Sequence, residues 1–147
     1  MNILDELKAI LDKDLPAVSN LSNASSVLNK LDNLNWVGFY LLDGDHLYLG
    51  PFQGEIACTK IKVGKGVCGT AVKEDRTLVV PNVNEFPGHI ACSSLSKSEI
   101  VVPLHVNGTI CGVLDIDSPV FDRFQKEDVE LIEKAAKIIE STLCFTK

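Results

Sequence analysis

The chain has 147 residues, 46% of them hydrophobic and 23% charged, which is the balance of a folded protein long enough to bury one core. Its net charge of −6 argues against nucleic acid or an anionic membrane as the main partner, because both reward a basic footprint. No apolar stretch is long enough to span a bilayer.

Residues 3–14 place Ile3, Leu4, Leu7, Ile10 and Leu11 at helical spacing, and Pro16 ends or kinks that helix. Residues 20–32 repeat the pattern with Leu21, Ala24, Val27, Leu28 and Leu31, behind Ser19 or Asn20 as a cap. Residues 36–42 and 46–50 read as a hairpin around Asp43-Gly44-Asp45, and 55–62 as a third strand. Residues 67–74 form a short helix after a glycine turn, and 77–80 a short strand. Residues 81–97 hold two prolines, a glycine and three serines, and read as a long loop, the kind of segment that carries function in compact domains. A second hairpin, 99–106 and 109–116, turns on Asn107-Gly108, and a helix over 125–142 closes the chain. The order predicts an α+β fold: an antiparallel sheet with the N- and C-terminal helices packed on it and a loop-built pocket. The whole of 1–147 reads as one domain, with a helical segment at 1–33 and the sheet, loops and last helix at 35–142.

Alternate strand residues share a face. Trp36, Gly38 and Tyr40 therefore share one side of the first strand. Thr109, Cys111, Val113, Asp115 and Asp117 share one side of the last. Two acids that close repel unless a cation lies between them or one takes a proton, and Glu99 in the paired strand is placed to join them. Acids for an ammonium group and aromatic faces for an alkyl group or cation suit a small zwitterion or cation. The competing reading is that the acids are solvated around the turn before Ser118-Pro119 and the aromatics are core.

The start of the chain has no basic, apolar leader, so the expected compartment is the cytoplasm, where thiols stay reduced. Five cysteines there are more often reactive or metal-binding than structural. Cys92 lies in the long loop three residues after His89, whose imidazolium would raise its thiolate fraction. Cys68 follows a glycine turn at a predicted helix N-terminus, which also favours a thiolate. Cys58 falls in the predicted third strand. These residues are compatible with an attacking and resolving pair, with zinc, or with inert buried thiols. Zinc is disfavoured because His89-x2-Cys92 alone has close ligand spacing. Cys111, Cys144, His46 and His105 read as bland, the two histidines as solvated. Gly64-x-Gly66-x-x-Gly69 matches a dinucleotide fingerprint only formally, since the antiparallel hairpins leave no βαβ unit for it. The three glycines instead shape the turn before Cys68.

Six motifs together closely resemble the free methionine-(R)-sulfoxide reductases, which are stand-alone GAF-domain enzymes. They are Trp36-Val37-Gly38-Phe39-Tyr40, Gly50-Pro51-Phe52-Gln53-Gly54, Gly64-Lys65-Gly66-Val67-Cys68-Gly69-Thr70-Ala71, Phe86-Pro87-Gly88-His89-Ile90-Ala91-Cys92, Ser98-Glu99-Ile100-Val101-Val102-Pro103 and Leu114-Asp115-Ile116-Asp117-Ser118. The resemblance covers roughly residues 35–140. It implies a GAF fold, Cys92 as nucleophile, Cys68 as resolving cysteine with Cys58 as the alternative, and Trp36, Tyr40, Glu99, Asp115 and Asp117 as the substrate-binding set. It further implies no bound cofactor or metal, recycling by thioredoxin with NADPH behind it, selectivity for the R epimer, and a homodimer. The family usually has an acid after the nucleophile, and this chain has Ser93. A GAF small-ligand or redox sensor without turnover is the alternative.

Overall fold

The structure, a computed structural model, describes residues 2–88 and 95–143. The elements run α1 (Ile3–Ile10), α2 (Ala17–Leu28), β1 (Trp36–Asp43), β2 (His46–Gly54), β3 (Lys60–Lys62), α3 (Gly66–Glu74), β4 (Leu78–Val80), β5 (Ser98–Val106), β6 (Thr109–Ser118) and α4 (Lys126–Thr142). The strands form one sheet in the order β3-β2-β1-β6-β5-β4, and every neighbouring pair is antiparallel. This is the expected α+β architecture. Asn107 and Gly108 both have positive φ, as the tight β5–β6 turn requires.

The sheet has two dissimilar faces. On one, Phe39, Leu104, Leu114 and Ile116 pack against Leu7 of α1, Leu21 and Leu28 of α2, and Ile132 and Ile139 of α4. Each such burial contributes about 1.5–3 kcal/mol. On the other, Trp36, Tyr40, Leu47, Val101 and Val113 meet Val67, Cys68, Ala71 and Val72 of α3. That second core is left incomplete at one end, and the opening becomes the pocket. Among the described residues no helix is long and apolar enough to cross a membrane.

Four local expectations change. Helix α2 starts at Ala17 rather than near residue 20, because Pro16 takes the N-cap position with φ −56°, already suited to helix entry. Asn20 is therefore inside the helix, where its side chain accepts from Asp12 N at 3.1 Å and donates to Asp12 O at 2.8 Å, closing the chain after α1. The predicted strand 55–62 contracts to β3, and Cys58 lies outside it. Here Trp36 Nε1 donates to Glu55 O (3.1 Å) and Tyr40 Oη to Cys58 O (2.9 Å), so side chains satisfy a backbone that forms no ladder.

Cys111 does not share the aspartates' face. Leu104 pairs with Gly112 and His105 with Ile110, which leaves Cys111 as the extra residue of a β-bulge. One inserted residue flips the alternation, so Cys111 packs toward the helices and Ile110 toward α3. Gly112 permits the close strand approach, since a Cβ there would collide with the Tyr40 carbonyl.

His105 is not simply solvated. Its Nε2 lies 2.7 Å from Asp75 Oδ1 at the end of α3, and its Nδ1 lies 3.2 Å from Glu140 Oε2 on α4. Partial burial opposes its charge, but the bonds and charges of Asp75 and Glu140 outweigh that and raise its pKa above the usual 6.5. A raised histidine contributes stability that is complete below the unfolded value and fades as pH climbs through the folded one. Thermal melts of wild type and His105→Gln should therefore differ most near about pH 6 and converge near about pH 9. A gap that widens with pH would contradict this.

Candidate active site

Strand register assembles the site. Trp36 of β1 lies opposite Asp117 of β6, which lies opposite Glu99 of β5, so these three form one row across the sheet. The next row is Gly38, Asp115 and Val101. Gly38 leaves room for the Trp36 indole, because a Cβ there would sit 2.6 Å from the ring. The indole stacks on Phe52 at 5.2 Å and on Tyr40 at 5.9 Å between ring centroids. Trp36 and Tyr40 form one wall of a cavity of about 50 Å³, with Glu99, Asp115 and Asp117 on its floor. Helix α3 closes another side with Gly66, Val67 and Cys68. The turn before α3 is tight: Gly64 and Gly66 have positive φ, Gly64 N donates to Gly69 O (2.8 Å), and a Cβ on Gly69 would lie 2.5 Å from Lys62 O.

The acids are crowded and dry. Glu99 is 7% exposed and Asp115 5%. Asp117 keeps some surface, but its Oδ1 is enclosed. Burial pushes the Glu99 carboxyl well above the usual range, and the charges of Asp115 and Asp117 push it further. Asp117 is raised for the same two reasons, burial and then Asp115, while contact with Ser96 and Glu99 partly offsets the rise. Asp115 Oδ1 and Asp117 Oδ1 have no hydrogen-bond donor among the described residues. Unsatisfied buried acceptors of this kind cost about 1–3 kcal/mol each, and a cationic ligand would satisfy them. Tyr40 is also held neutral by burial and the neighbouring acids, so it keeps the proton it donates to Cys58 O.

The cysteines separate into different environments. Cys68 is the third residue of α3 and donates to Asp115 Oδ2 at 3.4 Å. The helix N-terminus does not make it a thiolate: burial first, then Asp115, Glu99 and Asp117, push its pKa well up. Cys58 is disulfide-bonded, while Cys68 and Cys111 carry free thiols, so its partner lies outside the described residues. Cys92, with His89 and Ser93, and Cys144 also lie outside them. Burial, followed by the Glu140 charge, raises the Cys111 thiol to about 11.

Two neighbours of the site were not singled out by sequence. Ser96 lines the cavity and accepts from Asn35 Nδ2 at 3.1 Å, and Asn35 N in turn donates to Asp117 O at 3.0 Å. Lys65 lines the rim as the N-cap residue of α3. Neither Ser96 in a serine-rich loop nor Lys65 in a glycine turn carries a pattern that marks it.

A GAF-domain family model matches residues 3–143, which agrees with the sheet and helices described above. The chain is 46% identical over 142 residues to a free methionine-R-sulfoxide reductase of Escherichia coli, covering 96% of this chain and 86% of that protein. It is 44% identical over 156 residues to one from Saccharomyces cerevisiae, covering 97% and 87%. Among solved structures, the reduced form of fRMsr of Staphylococcus aureus superposes with a TM-score of 0.93 at 52% identity, covering 97% of this chain and 93% of that one. The Neisseria meningitidis free methionine-R-sulfoxide reductase in complex with its substrate gives a TM-score of 0.90 at 45% identity, covering 95% and 85%. The chain belongs to the GAF-domain family of free methionine-R-sulfoxide reductases, which are oxidoreductases.

The aromatic wall depends on Gly38. Gly38→Ala should destabilise the fold by about 1–3 kcal/mol through overpacking against Trp36 and Phe52. Urea denaturation measures the loss, and tryptophan fluorescence of the folded variant should report a displaced indole. Unchanged stability with unchanged emission would mean the wall has slack.

Proposed function

We propose that the protein reduces free methionine-(R)-sulfoxide to methionine. The observation that carries the reading is a pocket pairing an aromatic wall with three crowded acids, two of which hold buried oxygens with no donor among the described residues. The substrate's ammonium supplies the missing N–H groups, and Trp36 receives its S-methyl. A residue within a peptide lacks that ammonium, which favours the free amino acid. The R epimer is carried over from the relatives named above.

In this mechanism the Cys92 thiolate attacks the sulfoxide sulfur. The oxygen leaves the substrate only when protonated. Three carboxyls this close cannot all be ionised at low cost, so one serves as general acid, and Glu99, lying against both aspartates, is the best placed. Methionine leaves and Cys92 becomes a sulfenic acid. A second thiol displaces water from it and forms a disulfide. Thioredoxin reduces that disulfide by thiol exchange, with NADPH as the ultimate reductant.

For the second thiol we propose Cys58, which the resemblance placed behind Cys68. One observation supports this. Cys58 is already in a disulfide while Cys68 is a free thiol bonded to Asp115. The proposed partner of Cys58 is Cys92, the nucleophile of this scheme.

A thioredoxin-coupled NADPH assay with separate sulfoxide epimers tests the scheme. Cys92→Ser should abolish turnover of the R epimer. Cys58→Ser should still release one methionine per enzyme but stop recycling, and Cys68→Ser should keep forming the disulfide. Glu99→Gln should lower kcat by about 10²-fold or more, the ordinary contribution of a general acid. No turnover of either epimer, combined with ligand-induced thermal stabilisation, would instead identify a sensor. Multiple turnovers by Cys58→Ser would return the resolving role to Cys68.

A further inference from the structure

Cys68 has no task in the scheme above, yet it lines the pocket from α3. We propose that Cys68, Glu99 and Asp115 form a binding site for a borderline-soft divalent cation, zinc or its analogue cadmium, which competes with the organic ligand for the same oxygens.

The geometry is that of a nearly closed ligand set. Cys68 Sγ, one Glu99 oxygen and one Asp115 oxygen all lie within 4.8 Å of one another, and all three residues are buried. A tetrahedral zinc ion with bonds of about 2.0–2.3 Å draws its ligands to about 3.5 Å apart. The Cys68–Asp115 edge already measures 3.4 Å. Rotation of the Glu99 carboxyl then completes the triangle. The three ligands come from α3, β5 and β6, so packed elements hold the triangle.

A second observation is independent of the cluster's count. Asp115 is 95% buried, by its 5% exposure, and its Oδ1 has no donor among the described residues. Asp115 and Asp117 both line the cavity, and the Oδ1 of Asp117 is likewise a buried acceptor without a donor there. An ion bound by three protein ligands keeps a fourth position open to the cavity. The thiolate selects zinc or cadmium over magnesium or calcium, which take oxygen ligands.

Binding breaks the S–H bond of Cys68 and forms a metal–sulfur bond, and the thiol proton goes to solvent with any proton held on Glu99. No electron moves. The cation occupies the ammonium position, so it acts as a competitor and not as a cofactor for turnover.

Titration of the oxidised protein, with Cys58 in its disulfide, by cadmium chloride tests the site without any turnover. Wild type and Cys111→Ser should both show the ultraviolet thiolate-to-cadmium charge-transfer band, saturating at one ion per chain. Cys68→Ser should lose it. Asp115→Asn, which keeps the thiol, should weaken binding at least tenfold while circular dichroism shows the chain still folded. Free methionine at saturating concentration should displace the ion. The proposal is overturned by no band in wild type, by a band that survives Cys68→Ser, or by a band lost in Cys111→Ser. Because the readout is absorbance, it separates from the reductase assay: either result can fail while the other stands.

Discussion

The site depends on one electrostatic constraint, the confinement of three carboxyls on two paired strands away from water. Burying one charged carboxylate already costs several kcal/mol after relaxation, and three together add mutual repulsion. The sheet makes the arrangement unavoidable. Asp115 and Asp117 project to the same side of β6, and the β5–β6 register brings Glu99 opposite Asp117. Relaxation by moving apart is blocked, because Ile100, Leu114 and Ile116, alternating with the acids, are fully buried on the opposite face. The helical core thus holds the acids in place. The cluster lowers its energy by retaining protons and by accepting a cation, and both responses are chemically useful beside a sulfoxide.

The aromatic residues do more than line the pocket. The Trp36 indole N–H and the Tyr40 hydroxyl reach across to Glu55 and Cys58 carbonyls, so the aromatic wall also fixes the backbone that carries Cys58. Tyr40 can play this part because burial and the acids keep it protonated. The shape of the cavity on one side and the position of Cys58 on the other therefore share the same two rings. Phe52 stacks behind Trp36 and Gly38 leaves space beneath it, which gives the indole one packed position.

Much of this was legible in the sequence. The β5–β6 hairpin followed from Asn107-Gly108, and period-two alternation correctly put Asp115 and Asp117 on one face with Trp36 and Tyr40. Alternation failed at Cys111, since a bulge is set by pairing with a partner strand and by the clearance at Gly112, neither of which is a local property. It failed again at Cys58, where tertiary hydrogen bonds from β1 replaced strand pairing. Pro16 misled because it does not end α1, which stops at Ile10 short of the expected residue 14, but caps the start of α2. The Cys68–Asp115 contact joins residues 47 apart, and no spacing rule reaches that far.

Burial also separates the thiols by role. A nucleophile needs its thiolate, which a pocket of three acids suppresses, so a cysteine placed among them becomes a hydrogen-bond donor instead. Cys68 illustrates this: the N-terminal turn of α3 offers a thiolate some stabilisation, about 0.3–1 kcal/mol for a helix dipole, but desolvation and three neighbouring carboxyls act the other way. Three buried acids are thus incompatible with a reactive thiol in direct contact with them. Cys58, on the chain between β2 and β3, stands outside the acid cluster. In the proposed scheme the division of labour among the cysteines follows from where the negative charge is stored.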